Sequence, residues 1–290
     1  MASTQEISQL AQQYQEEFQR NVIETGDVVT QTAREAVTTI QQKVDNLTPA
    51  ALGWKDHFVG IITNFGEATI NNKEIFTMMF WSSIMVLGCK IAATLTHYLI
   101  HPFVGMVLDG STALYLSAIF IPVYAHFKQS REPLNDEKSR FRLLAWAAIQ
   151  GVIVGYIQTE SFLISSDPLA FMGLAIMGVS ALFLHPILGG NRLNYLVGIV
   201  GSGFGFHFVL GLILGQLGFI YLFMALLYSV AAFILLQHYI QASSSTNMVH
   251  LYMYYNFIAI IYIQLVFYYI FGYTKADYKK LTAAQAHSAK

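Results

Sequence analysis

Charge is what this 290-residue chain has least of. Asp, Glu, Lys and Arg together make up 11% of it, against about 25% in an ordinary soluble domain. A soluble fold of this size would need far more, to cover its surface with groups that water can solvate. Cysteine is limited to Cys89, which excludes an internal disulfide framework and any metal centre built on paired thiolates. The net charge of −1 supplies no global field, so nucleic-acid binding has no electrostatic basis. The start of the chain lacks the basic-then-apolar order of a secretory signal. Glu6, Glu16, Glu17 and Glu24 also set it apart from an acid-poor transit peptide.

What is present is apolar: 55% of residues are hydrophobic and the mean hydropathy is +0.48. A hydrocarbon layer about 30 Å thick requires about 20 apolar residues per helix. The sequence from Ile75 to Phe271 holds such runs at 75–100, 103–127, 142–164, 169–188, 193–214, 219–240 and 248–271. The expected fold is therefore all-α, a polytopic bundle of about seven transmembrane helices. The loops carry the basic residues: Lys128, Arg131, Lys138, Arg140 and Arg142 between the second and third runs, and Arg192 between the fourth and fifth. Basic loops favour the cytoplasmic or matrix-like side. Seven spans would send the tail with Lys275, Lys279 and Lys280 to the opposite side, unless the last segment re-enters.

Residues 1–48 have another character. Ile7, Leu10, Tyr14, Phe18 and Val22, then Val29, Ala33, Val37, Ile40 and Val44, recur at helical steps in a polar background, with a break at Gly26-Asp27. This reads as an amphipathic helical arm outside the bilayer, with a partly disordered polar tail as the competing reading; a disordered tail seldom keeps an apolar stripe. Residues 49–74 form a linker in which Trp54, Phe58, Ile61, Ile62 and Phe65 can face a membrane surface. Residues 272–290 are a polar tail.

Ionisable groups inside a bilayer are costly and mark functional candidates. Lys90 and Asp109 lie on either side of a turn expected near Ile100-His101, which would bring them to similar depth, with Glu160 able to join them. They read as an ion pair holding helix register or as an ion relay. The histidines fall into no metal-binding spacing on one helix, and no cofactor is expected. His207 reads as a packed interior residue. Gly201-Ser202-Gly203-Phe204-Gly205 lacks the strand a nucleotide loop requires. The pairs Gly151/Gly155, Gly201/Gly205 and Gly211/Gly215 instead have the four-residue spacing that lets membrane helices approach closely. The last run, MVHLYMYYNFIAIIYIQLVFYYIFGY, carries aromatic residues throughout, not only at its ends. Hydroxyls such as those of Tyr254 and Tyr255 then need protein partners, in this bundle or a neighbouring subunit.

Three stretches also carry a family resemblance: REPLNDEKSRFRLLAWAAIQGVIVG (131–155), DPLAFMGLAIMGVSALFL (167–184) and MYYNFIAIIYIQLV (253–266). Their order and spacing resemble the transmembrane Bax-inhibitor-motif family over residues 75–271. That resemblance implies seven helices and calcium leak or proton-coupled ion passage, gated by two aspartates. Aligned that way, the gate is degenerate, because Leu235, Gln237 and Asn256 occupy its positions, with Gln241 near the place of a further glutamate. Neither Leu nor Asn titrates near neutral pH or offers calcium an anionic oxygen. The expectation is a non-enzymatic accessory subunit of an organelle membrane assembly, by analogy a mitochondrial respiratory complex of the inner membrane in preference to the endoplasmic reticulum. Its partners would be membrane lipid and other membrane subunits, met through the arm and the last helix. The alternative is a calcium leak channel or cell-death regulator using Lys90, Asp109 and Glu160.

Overall fold

The computed structural model describes residues 56, 59–66, 70–131, 136–163, 167–242 and 247–274. The expected arm over 1–48, most of the linker and the tail beyond Thr274 lie outside these residues. The chain divides into two compact units, residues 1–60 and residues 61–290, and the second is the membrane domain.

Seven stretches of that domain are long and apolar enough to cross a membrane: Asn72–Gly105, Gly110–Arg131, Asp136–Thr159, Ala170–Leu188, Arg192–Ile213, Phe219–Ala242 and Met248–Phe271. The first contains α1 (Asn72–Leu95), a π turn (Thr96–Ile100) and α2 (His101–Gly105). The second contains α3 (Gly110–Tyr115), a second π turn (Leu116–Phe120) and α4 (Ile121–Arg131). Then follow α5 (Asp136–Glu160), α6 (Ala170–Leu188), α7 (Arg192–Ile213), α8 (Phe219–Ala242) and α9 (Asn247–Phe271). Side chains cap three of the starts: Asn71 accepts from the Glu74 N–H, Asp109 from Thr112 and Asn191 from Asn194. Each takes up one of the orphan donors of a helix's first turn.

The first hairpin turns at 106–109, beyond the Ile100-His101 position expected from the sequence. Pro102 reads as a stop signal, yet the helix runs through it. Proline removes a donor and crowds the carbonyl four residues back. The wider turn ending at Ile100, where the His101 N–H bonds to Thr96 O, provides the slack.

The same device recurs before Pro122. There the Ile121 N–H bonds to Leu116 O, so Ser117 O loses its α-helical donor, and the next nitrogen along belongs to proline. Gln150 on α5 donates to Ser117 O at 2.8 Å and to Ser117 Oγ at 2.7 Å. Ala118 O, whose α-helical donor would be Pro122, accepts from Tyr262 of α9 at 2.8 Å. In hydrocarbon every backbone polar group must be met from within the protein, and here two side chains do so.

Helix α1 is central, packing along α5, α6 and α9; α6 continues onto α7, and α8 lies between α7 and α9. Helix α5 comes nearest because Gly151 and Gly155 face α1. A Cβ on Gly151 would collide with Cys89 O, and one on Gly155 with Ala93 O. Short strands Ser161–Phe162 (β1) and Tyr273–Thr274 (β2) pair antiparallel, joining the end of α5 to the segment after α9. The last helix therefore traverses the domain and ends beside the end of α5, with no re-entry.

Candidate functional site

The starts of α1, α5, α7 and α9 and the ends of α4, α6 and α8 share one end of the bundle. Lys73, Lys128, Arg131, Lys138, Arg140, Arg142 and Arg192 are all there. A basic end of this kind is favoured on the cytosolic side of a membrane or its equivalent. Several of its charges are held in place. Arg140 donates to Asp136 at 2.7 Å and stacks over Trp81, 5.2 Å from the ring centroid. Arg142 makes two bonds to Gln129 Oε1, at 3.1 and 2.7 Å. His250 Nε2 lies 3.0 Å from Asp136 Oδ1, at an angle that leaves it without a proper hydrogen bond. Tyr239 donates to Glu74 at 2.5 Å, and His238 meets the Tyr252 hydroxyl. Lys73, Glu74, Thr77, Asp136, Arg140 and Val249 line a cleft of about 190 Å³. Arg131, Glu137 and Lys138 at the same end are exposed, Arg131 lying over the Phe127 ring at 5.3 Å.

Buried Arg192 places its guanidinium 3.3 Å from Gln237 O in the last turns of α8, where a cation complements unsatisfied carbonyls and the helix dipole. Gln237 Nε2 reaches Ile62 O at 3.0 Å and Asn64 O at 3.4 Å, and Gln241 reaches Ile61 O at 3.1 Å. Together they fasten residues 61–64 to α8.

The other end carries acid. Lys90 meets Asp167, not Asp109: its Nζ lies 3.2 Å from Asp167 Oδ2, which also accepts from Tyr268 at 3.2 Å. The proposed depth match with Asp109 assumed a turn near residue 100. With the turn at 106–109, Asp109 becomes the cap of α3, bonded to Thr112 N at 3.1 Å, on a shallow cleft formed by residues 105–110 and Tyr156. Those bonds to Thr112 hold its carboxyl below the ordinary value. The side chain of Glu160 lies outside the described ones. Asp167 was visible in the sequence as part of an Asp-Pro pair, but a loop carboxylate carries no intramembrane signal.

The residues aligned with an ion gate do other work. Leu235 packs against the core, Gln237 ties down residues 61–64, and Asn256 donates to Tyr252 O at 3.1 Å. The glycines divide: Gly151 and Gly155 make a close approach, Gly211 lies against Tyr221, and Gly201 and Gly205 have open space at the Cβ position. Gly215 also has open space and holds φ at +65°, a left-handed turn that favours glycine. Between the open pair, Gly203 lies against Met177, while Gly173 lies against His207. Tyr254 donates to Pro122 O at 2.8 Å and Tyr255 meets His126 Nδ1 at 3.2 Å. Several hydroxyls of the aromatic helix are thus bonded within the chain, while Val266, Tyr269 and Ile270 on the same helix are exposed.

These features define an all-α integral membrane protein with seven apolar helices, a basic end and an acidic end. The chain belongs to the Interactor of ZYG-11 family, whose sequence model matches residues 1–274. That match takes in the N-terminal segment and overturns the Bax-inhibitor resemblance. The motifs behind the resemblance are an acidic-basic loop, an Asp-Pro helix start and small residues four apart. Short patterns of this kind recur in helical membrane bundles and do not mark one family. No curated protein and no solved structure matches the chain.

Proposed function

We propose that this chain is a non-enzymatic membrane subunit that holds a ZYG-11 protein at a bilayer, with its basic end as the docking face. The observation that carries this reading is the arrangement of that end within a family defined by an interaction. A salt bridge and a cation–π contact fix Asp136 and Arg140, and Arg131, Glu137 and Lys138 are exposed at the same end. Charge gathered at one end steers association and selects partners. The N-terminal segment, inside the family match, is the second candidate contact. Ion passage through Lys90, Asp109 and Glu160 has less support, because Lys90 and Asp109 occupy separate contacts.

The test is native-gel sizing of the full chain in mild detergent with purified ZYG-11 protein, and association kinetics on the same pair. Arg131→Glu combined with Lys138→Glu should slow association roughly tenfold at low salt and little at high salt. Failure to form a complex would overturn the reading. A complex whose kinetics ignore both the substitutions and the salt would move the docking face elsewhere. Mass spectrometry of proteins that co-purify from native membranes identifies the organelle.

A further inference from the structure

The cleft at the basic end combines two cations with two carboxylates, drawn from the starts of three helices. Lys73 and Glu74 come from the first turn of α1, Asp136 and Arg140 from the first turns of α5, and Val249 from the first turn of α9. That construction sets its depth. Thr77, the lining residue furthest along α1, lies four residues past Lys73, about 6 Å along the helix. A bilayer of about 40–45 Å overall, around a hydrocarbon core of about 30 Å, leaves a headgroup layer of about 5–8 Å on each side. The cleft therefore lies at the level of lipid headgroups, where the apolar spans begin.

Its charges are not used up on one another. Arg140 gives one nitrogen to Asp136 at 2.7 Å, while its Nε is buried and without a partner. Lys73 is exposed and enters no ion pair among the described residues. Both cations thus have donors to spare, which suit a phosphate. On the acidic side, Asp136 Oδ2 is held by Arg140, but Oδ1 faces His250 Nε2 at 3.0 Å without a proper hydrogen bond. The Asp136 side chain is 52% exposed, so a further donor can reach it. Groups of both signs on one wall select a ligand that carries both signs. The volume of about 190 Å³ is below the roughly 300 Å³ at which drug-sized pockets begin, and suits a small headgroup.

We propose that this cleft binds the headgroup of phosphatidylethanolamine from the facing leaflet, its phosphate on Lys73 and Arg140 and its ammonium on Asp136, with Glu74 adding to the negative side. A primary ammonium brings N–H donors to the carboxylate, whereas the quaternary nitrogen of choline brings none and a glycerol headgroup brings no positive charge. A lipid seated there ties the starts of α1, α5 and α9 together. The site concerns lipid alone and stands whether or not a ZYG-11 protein docks at this end.

The test is native mass spectrometry of the full chain released from micelles doped with equimolar phosphatidylethanolamine, phosphatidylcholine and phosphatidylglycerol. Phosphatidylethanolamine should be retained roughly tenfold more than either of the others, the effect of one charge-assisted contact. Lys73→Gln should lower its retention by a similar factor. Lys138→Gln, exposed at the same end but outside the cleft, should leave it unchanged. Asp136→Asn should let phosphatidylglycerol compete equally, since it removes the acid that selects the ammonium. A thermal midpoint raised by soluble glycerophosphoethanolamine, with no lipid retained, would overturn the lipid source and assign the same chemistry to a free phosphodiester. Equal retention of the three lipids, or a preference that Lys73→Gln and Asp136→Asn both leave unchanged, would overturn the site.

Discussion

Gln150 and Pro122 should be energetically coupled, although they lie on different helices and do not bond to each other. Gln150 is fully buried, and its Nε2 supplies Ser117 O with the donor that a π turn followed by proline has removed. Gln150→Leu keeps approximate volume and leaves that carbonyl unmet. A buried unsatisfied carbonyl costs about 1–3 kcal/mol. The lower half of that range is expected, because Gln150 Oε1 is itself without a partner and the substitution removes that orphan too. Pro122→Ala restores an N–H at residue 122, within reach of Ser117 O in the π register or of Ala118 O in the α register. With that donor present, Gln150→Leu should cost at least about 0.6 kcal/mol less, the scale of hydrogen-bond coupling within membrane bundles. The measurement is a double-mutant cycle on reversible unfolding in mixed micelles. If Gln150→Leu costs the same in the natural chain as in the Pro122→Ala background, then Gln150 is not there to replace the missing donor, and the explanation of the π turn fails.

The glycines give a second test by contrast. Gly155→Ala should destabilise by about 1–3 kcal/mol through overpacking against α1, whereas Gly201→Ala, with open space at its Cβ position, should lie within about 0.5 kcal/mol of the natural chain; equal effects in an unfolding assay would refute the assigned approach. Asp109 gives a third. Bonds to Thr112 depress its folded-state pKa, so its cap contributes above the ordinary carboxylate value and is lost as the pH falls below about 4 toward the folded value. The protection of the Thr112 amide, its exchange rate measured against the intrinsic rate at each pH, should fall over that acid range and stay constant there in Asp109→Ala; no such difference would remove the cap from the account.

The sequence and structure part company where a local signal competes with a tertiary one. The seventh apolar run, 248–271, matches α9 because nothing inside it contradicts a helix. The first hairpin differs because Pro102 is a strong local stop that a π turn absorbs, while the real turn is marked by a quieter signal: Asp109 before Gly-Ser-Thr, an N-cap read instead as an intramembrane charge. A turn near residue 100 pairs Lys90 with Asp109, whereas the turn at 106–109 makes Asp109 a cap and Lys90 meets Asp167. The aromatic last helix was recognisably in need of hydrogen-bond partners, but periodicity does not say whose. Its hydroxyls turn out to serve Pro122 O, Ala118 O and Asp167, each near a proline in sequence. Proline in a membrane helix strips a carbonyl of its donor, so buried Tyr and Gln elsewhere in such a chain are candidates to replace it. Applied here, that rule picks out Tyr262 and Gln150 from Pro122. It finds no side-chain donor for the carbonyls before Pro102 among the described hydrogen bonds. The first π turn should therefore open sooner than the second in amide exchange, and the reverse order would show that the side-chain donors add no local stability.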